Sequence, residues 1–184
     1  MSAMSLAPVT AATLSLALLG AGADPRPGAD DAAARPRAAI VEHETAHLSV
    51  RAALSPDAVA PGSRVSIVVD IVPKPGMHVY APGTEYRPIA LVLEPHALLH
   101  MHEPVYPEPT LYLFKPLNEA VLVYGRPFRL VRDVTAGRTA AHQAKLRKQK
   151  TVTIAGALEY QACDDRVCYL PASVPVGWTV RIAS

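Results

Sequence analysis

Residues 174–182, with the sequence V-P-V-G-W-T-V-R-I, are the stretch that decides the fold. Their apolar side chains stand at every second position, from Val174 to Ile182, which is the spacing of a β-strand with one buried face. A second strict alternation runs from Val65 to Ile71. Both segments therefore predict half-buried strands.

Shorter segments with the same alternation occupy much of the remaining chain, and turns rich in Pro and Gly separate them. Pro is common, with 18 residues, and it is excluded from helix interiors and from central strands. We therefore expect about eight or nine short strands in an all-β, antiparallel β-sandwich. The further strands are expected near residues 48–54, 77–80, 89–93, 121–123, 128–134 and 152–160.

Two segments lack a strand pattern. Residues 96–110 contain three Pro residues and predict a long loop. Residues 136–150 are polar and basic and predict a loop or a short helix. We interpret the charges of this second segment as a solvated surface rather than as a binding patch.

The N-terminus has the pattern of an export signal. An apolar run at residues 14–19 precedes A-G-A at residues 21–23, which fits a cleavage site, although no Lys or Arg comes before the run. An uncleaved membrane anchor and a disordered Ala-rich tail are the alternatives. We expect a signal peptide at residues 1–23, a flexible linker at residues 24–46 and the sandwich domain at residues 47–184.

The composition disfavours several classes of function. The formal net charge of +2 is close to neutral, so a basic face for nucleic acid is not expected. The two cysteines are too few for a structural zinc site, which takes four ligands. Residue patterns typical of hydrolases are not apparent either. We expect no metal, no cofactor besides a disulfide, and a monomer.

The two cysteines carry the candidate chemistry. Cys163 and Cys168 enclose four residues that begin with Asp164 and Asp165, which are good turn formers. A four-residue hairpin loop sets the cysteines opposite each other, with Cα atoms about 4.5–5.5 Å apart. A disulfide accepts a Cα separation of about 4.4–6.8 Å, so the spacing is compatible with a bond.

Spacing alone leaves the role of this bond open. A bond that closes so short a loop restrains the unfolded chain little, and a bond near a turn is accessible to an attacking thiolate. A local structural bridge is equally compatible with the spacing. Arg166 favours a thiolate, while Asp164 and Asp165 oppose it, so we expect a pair that a partner attacks. Either carboxylate is also a candidate proton acceptor, although turn formation is favoured.

The residues around the cysteines resemble those of a known family, the N-terminal periplasmic domains of the thiol–disulfide interchange protein DsbD. The most specific match is YQACDDRVCYLP at residues 160–171, and the resemblance covers most of the chain from Val50 onwards. The other matching segments are GMHVYAPG at residues 76–83, YRP at 86–88, FKP at 114–116 and VY at 123–124, ending near Trp178.

The resemblance implies an immunoglobulin-like sandwich in the periplasm that relays electrons. In the family, the cysteine pair takes electrons from a membrane-embedded thiol donor. It passes them through mixed disulfides to thioredoxin-like or disulfide isomerase proteins. By position, Cys168 is the attacking cysteine and Cys163 the resolving one. The activity implied is that of a protein-disulfide reductase component.

The resemblance also implies aromatic side chains that shield the pair. Phe114 matches a cap-loop aromatic, although a core position is equally compatible with the sequence. Tyr80 and His78 match positions near the pair, but the family often has Tyr where this chain has His78. Tyr160 and Tyr169 flank the cysteines and are expected to shield the sulfur atoms, with packing across the sheet as the alternative.

Two features depart from the family. The cysteines here enclose four residues, whereas some members have five. The chain also ends just after the domain, so we expect its electron donor to be a separate polypeptide. A truncated relative that docks to a redox partner without turnover is compatible with the same resemblance.

The alternative function is that of an exported binding module with a merely local disulfide. Its ligand is either a partner protein or copper, because imidazole and thioether groups suit copper. A polar loop without a ligand is the favoured interpretation of the residues concerned. The candidate copper ligands are His96, His100, Met101 and His102.

Overall fold

The computed structural model describes residues 39–115 and 118–183. Within these ranges the predicted all-β, antiparallel β-sandwich is confirmed, with one short helix, α1 (Ala140–Leu146). The strands are, in chain order, β1 (Ala39–Glu44), β2 (Leu48–Ser55), β3 (Ala58–Val59), β4 (Arg64–Pro73), β5 (His78–Tyr80), β6 (Ala90–Leu93), β7 (Leu99–Val105), β8 (Thr110–Phe114), β9 (Glu119–Tyr124), β10 (Phe128–Ala136), β11 (Thr151–Tyr160), β12 (Ala162–Cys163) and β13 (Ala172–Ile182).

Three sheets organise these strands. The first sheet has the order β1-β2-β4-β10-β7, the second β3-β13-β11-β6 and the third β12-β5-β9-β8. Neighbouring strands are antiparallel in all three sheets, except that β3 runs parallel to β13.

The main core lies between apolar faces of the first and second sheets. On β4 the side chains of Val65, Ile67 and Val69 are buried in turn, and on β13 those of Val176 and Trp178 are buried in the same way. Residues of both sheets belong to one buried cluster. Burial of such a side chain stabilises the fold by about 1.5–3 kcal/mol, so the strictly alternating strands hold the two sheets together.

The predicted loop at residues 96–110 is wrong in part, because residues 99–105 form β7. This strand pairs with β10 at the edge of the first sheet. An edge strand tolerates Pro104, since one side of its backbone needs no ladder partner. Its side chains are half-buried or exposed, so the apolar alternation that marks the central strands is missing.

The predicted linker also extends too far. Residues 39–44, expected to be flexible, form β1 and pair along their whole length with β2. The sandwich therefore includes residues 39–44, which lie before the expected boundary at His47. β1 is an edge strand, and its charged residues interrupt the apolar alternation that would have predicted a strand. The expected signal peptide at residues 1–23 lies outside the described residues.

The basic segment contains α1, as one of the two expected alternatives. Thr139 caps the helix by accepting a hydrogen bond from the N–H of His142 at 3.2 Å, and Leu146 is buried in the core. None of the described residues belong to a helix that is long and apolar enough to cross a bilayer. The exposed basic side chains are Lys145, Arg147, Lys148 and Lys150.

The third sheet has two different faces, and this positions the cysteines. Val79, Tyr124 and Ala162 face the main core and belong to its buried cluster. Successive side chains of a strand point to opposite faces, so the neighbours of these residues point the other way. A second, smaller cluster forms there from Tyr80, Val121, Val123 and Cys163, with Tyr86 and Tyr112 packed against it.

We predict that Gly156→Ala destabilises the domain, because the backbone of the neighbouring strand β6 lies very close to Gly156 of β11. A Cβ atom there would lie 2.2 Å from the carbonyl oxygen of Val92 and 2.9 Å from the Cα of Leu93. Both are backbone atoms, so β6 must move away. We expect a loss of about 1–3 kcal/mol in the free energy of unfolding, measured by urea titration.

The matched control is Gly177→Ala on the adjacent strand β13. Its added Cβ would lie 3.6 Å from the nearest atom, the carbonyl oxygen of Ile154, which is an ordinary contact. Equal unfolding free energies for the two variants would contradict the close packing at Gly156.

Candidate functional site

The cysteine pair forms a disulfide across a tight turn. Cys163 ends β12 and pairs directly with Cys168 in an isolated antiparallel bridge, with Cα atoms 4.1 Å apart. The two residues differ in environment, because Cys163 has 0 % of its surface exposed whereas Cys168 is exposed. Access from solvent is therefore through Cys168.

Asp164 builds the turn between the cysteines. Its Oδ1 accepts hydrogen bonds from the N–H groups of Arg166 and Val167, both at 2.8 Å. Its Oδ2 accepts from the hydroxyl of Tyr169 at 2.9 Å. The hydrogen bonds from Val167, Arg166 and Tyr169 lower the pKa of Asp164. Its carboxylate is therefore ionised, and both of its oxygen atoms already accept hydrogen bonds.

These contacts support turn formation by Asp164, the function that the sequence favours for it. Asp165 is exposed, and its carboxylate lies 3.8 Å from the guanidinium of Arg166. A role as proton acceptor for either carboxylate stays a prediction.

Tyr80 contacts the exposed cysteine. Its hydroxyl oxygen lies 3.2 Å from the Sγ atom of Cys168. Its ring stacks on that of Tyr86, with centroids 4.4 Å apart and planes 9° from parallel. Burial, and secondarily the charge of Glu119, raise the pKa of Tyr80, so its hydroxyl stays protonated and can donate to a thiolate.

Tyr86 and Glu119 hold the ring of Tyr80 in place, Tyr86 by stacking on it and Glu119 by binding the Tyr86 hydroxyl. The Tyr86 hydroxyl donates a hydrogen bond of 2.5 Å to Glu119, and this bond is the main reason that the pKa of Tyr86 rises to about 12. The stacked ring is thus tied to the start of β9. This arrangement fixes the side of the disulfide on which Tyr80 lies.

His78 lies directly opposite the buried cysteine. It pairs with Cys163 between β5 and β12 and is 6 % exposed. Its ring packs against Tyr112, with centroids 4.4 Å apart, and edge-on to Tyr80 at 6.4 Å. Burial lowers the pKa of His78, which the charge of Asp164 partly offsets.

The other predicted shielding residues have different surroundings. Tyr160 is buried in the main core, where its hydroxyl donates to Thr45 at 3.0 Å, so the core accounts for its burial. Tyr169 packs on His47, with centroids 4.6 Å apart, and anchors the turn through Asp164. Shielding by these two residues stays a prediction.

Phe114 lies at the end of β8, opposite Glu119. It is half-buried and points to the same face as Tyr112, two residues earlier. Within the described residues, Tyr112 and Tyr86 pack against the cluster around Cys163, and Phe114 is not among them. Its role as a cap stays a prediction.

Sequence reasoning missed Tyr86, Tyr112 and Glu119 as site residues. Tyr86 stands in the matching segment YRP, which was a usable signal. Tyr112 and Glu119 reach the site through the pairing of β8 with β9, which the sequence did not predict.

Three of the candidate copper ligands, His100, Met101 and His102, lie on a different sheet from the cysteines, and His96 precedes that strand in a loop. His100 and His102 stand on β7 of the first sheet with ring centroids 4.6 Å apart, and His102 Nε2 lies 2.8 Å from the hydroxyl of Thr135. The described parts of the chain contain no group of three or more His, Cys, Asp or Glu that could hold a metal ion. The copper hypothesis gains no support here.

We predict that Tyr80→Phe slows alkylation of the Cys168 thiol by iodoacetamide about threefold at neutral pH. The change removes the hydroxyl near Sγ, and losing one hydrogen bond to a thiolate lowers the thiolate fraction about tenfold. A less stabilised thiolate is more nucleophilic, which restores about half of that loss on a logarithmic scale. The measurement uses the Cys163→Ala background, so that one thiol reacts.

Tyr112→Phe is the control, since it removes a hydroxyl from the same cluster without touching the sulfur. If both variants react at the unsubstituted rate, the contact between Tyr80 and Cys168 does not influence the thiolate.

We predict that Asp164→Ala lowers the melting temperature at neutral pH and that the difference disappears in acid. The folded-state pKa of Asp164 is below its ordinary value of 3.8. Its stabilisation is therefore present above that pH and is lost as the pH falls through the lowered pKa. Asp165→Ala is the control. A difference that persists unchanged at about pH 2 would show that ionisation of Asp164 is not responsible.

Comparisons with known proteins place the chain near two solved structures. No protein-family model matches the chain, and no curated protein sequence matches it. The N-terminal periplasmic domain of ScsB from Proteus mirabilis has 12 % identity over 78 % of this chain, with a TM-score of 0.49, and the match spans 50 % of that structure's length. The reduced N-terminal domain of DsbD from Neisseria meningitidis has 15 % identity, covers 63 % of this chain and 82 % of its own, and has a TM-score of 0.41. The chain is thus similar to DsbD-type N-terminal domains, the family that its sequence motifs resemble.

Proposed function

We propose that this protein is a periplasmic thiol–disulfide interchange module that relays reducing equivalents through Cys163 and Cys168. The observation that carries the proposal is the asymmetry of the disulfide. Cys168 is exposed beside the Tyr80 hydroxyl, whereas Cys163 is buried. A disulfide with one accessible sulfur gives an incoming thiolate a single point of attack.

The exchange proceeds in two steps. A thiolate of the electron donor attacks Sγ of Cys168, the bond between Cys168 and Cys163 breaks, and Cys163 leaves as a thiolate that takes up a proton. A second donor thiolate attacks the donor's sulfur in the mixed disulfide and releases Cys168 as a thiolate. The donor is oxidised to a disulfide, and the cysteine pair has gained two electrons. The same steps in reverse reduce an acceptor disulfide.

The bond is better suited to exchange than to stabilising the fold. It joins residues five apart in sequence, so it restrains the unfolded chain little. The turn around it is held by hydrogen bonds of Asp164 and by the bond from the Tyr169 N–H to the Ala162 carbonyl at 2.8 Å. These contacts are made by groups other than the two sulfur atoms.

The partners follow from the resemblance of the sequence. We propose a membrane-embedded thiol donor and thioredoxin-like or disulfide isomerase acceptors in the periplasm. The activity is that of a protein-disulfide reductase component, which needs both partners for turnover. Val167 and Leu170 are exposed apolar side chains beside Cys168 and are suited to contact such partners.

The proposal predicts which single-cysteine variant forms a mixed disulfide. Cys163→Ala leaves the exposed Cys168, which should accumulate a mixed disulfide with a thioredoxin-like protein activated at its own cysteine. Cys168→Ala leaves only the buried thiol and should form at least about tenfold less. Mass spectrometry of the non-reduced products measures both yields.

A companion measurement separates exchange from a structural bond. The reduction potential of the pair should lie at roughly −120 to −270 mV, the range of exchange proteins. A potential below about −300 mV, or a bond that dithiothreitol opens only when the domain melts, would contradict the proposal and favour a binding module.

A further inference from the structure

The buried cysteine faces a buried histidine across two paired strands. Cys163 of β12 and His78 of β5 are direct partners in the antiparallel register. The Cβ atoms of such partners are about 4.5–5.5 Å apart and lie on one face of the sheet. Tyr80 and Tyr112 contact the His78 ring and also belong to the cluster around Cys163, so the side chains share that face.

The position of Cys163 creates a chemical difficulty. To close the disulfide it must attack Cys168 as a thiolate, because the thiol is a poor nucleophile. Cys163 has 0 % exposure and packs among Val121, Val123 and Tyr80. An apolar environment disfavours the charged form of a thiol, and water cannot easily remove the proton there. The resolving step therefore needs a proton acceptor inside the cluster.

We propose that His78 is this proton acceptor and serves as the general base for Cys163 in the resolving step, an inference that rests on the proposed function. A neutral imidazole has one ring nitrogen free to take a proton. Burial keeps the pKa of His78 below its ordinary value, so the ring is neutral and ready at neutral pH.

Asp164 completes the arrangement from the turn after β12. Its negative charge acts on His78 and favours the imidazolium that forms when the proton arrives. The other groups that face His78 are the rings of Tyr80 and Tyr112, and Gly125, whose added Cβ would lie 3.7 Å from the His78 Cβ. Tyr80 and Tyr112 hold the ring on the face of the sheet that also carries Cys163.

The step balances as follows. Cys168 is joined to the acceptor in a mixed disulfide, and the Cys163 thiol gives its proton to the His78 ring. The Cys163 thiolate attacks Sγ of Cys168, forming the intramolecular disulfide and expelling the acceptor's sulfur as a thiolate. The cysteine pair loses two electrons and the acceptor gains them. In the opposite direction the imidazolium returns the proton to the departing Cys163 thiolate.

The test uses the reduced full chain and an equimolar aromatic disulfide, dithiobis(nitrobenzoate), in a stopped-flow spectrometer. Attack by Cys168 releases the first coloured thiolate, and resolution by Cys163 releases the second. Cys163→Ala, which abolishes the second phase, assigns it. The unsubstituted chain should resolve at a rate that varies little with pH above the titration of His78 and falls below it.

His78→Gln retains a polar side chain that cannot accept a proton, and His78→Phe retains a ring against Tyr112. Both should slow the second phase about 10²-fold at neutral pH and leave the first phase within about twofold. Their second phase should rise about tenfold for each unit of pH, because thiol ionisation now limits it. The control is His47→Phe, which replaces a histidine that packs on Tyr160 and Tyr169. This substitution should change neither phase.

A second phase with the unsubstituted rate and pH profile in folded His78→Gln would overturn the assignment. An equal slowing of both phases at every pH would also overturn it, because it would indicate a structural effect. The proposed function is tested separately, since its failure would appear as a missing mixed disulfide with thioredoxin-like proteins. The aromatic reagent does not depend on such a partner.

Discussion

The register between β12 and β5 is the constraint on which the site depends. Ala162 and Val79 face the main core and are fully buried, and this fixes Cys163 and His78 on the opposite face. A slip of one residue would exchange the two faces and place the cysteine in the core. The apolar packing of a two-residue strand thus decides where the proposed disulfide exchange can occur. The strictly alternating strands of the sandwich provide the surface against which that strand packs.

The same constraint gives the two sulfur atoms different surroundings. Cys168 follows the turn and stands at the surface beside the hydroxyl of Tyr80, while Cys163 stays in an apolar cluster. Once the bond opens, the Tyr80 hydroxyl and solvent are placed to stabilise a thiolate at Cys168, whereas a thiolate at Cys163 would depend on groups inside the cluster. Asp164 links the two environments, because it builds the turn and also acts electrostatically on His78. In the proposed exchange, attack by Cys168 would thus take place at the surface and resolution by Cys163 within the cluster.

The sequence predicted the parts of the structure that depend on local patterns. Strict alternation located the central strands β4 and β13, and the four residues between the cysteines located the turn. The edge strands β1 and β7 escaped prediction because their exposed side chains need no apolar period. The support of Tyr80 by Tyr86 and Glu119 also escaped it, since residues distant in sequence meet there only through tertiary packing. Long-range contacts of this kind leave no spacing rule in a single sequence.

The short ring closed by the disulfide bears on how the domain would withstand repeated oxidation and reduction under the proposed function. Because the bond joins residues five apart, we expect its opening to free only the turn and to leave the pairing of the sheets intact. Under the proposed function, each transfer of electrons would then proceed without local melting and without uncovering edge strands that would promote aggregation. In this proposal the cysteine pair changes its oxidation state while the sandwich around it keeps its structure. The working lifetime of such a relay would then be set by the stability of the sandwich rather than by the number of transfers.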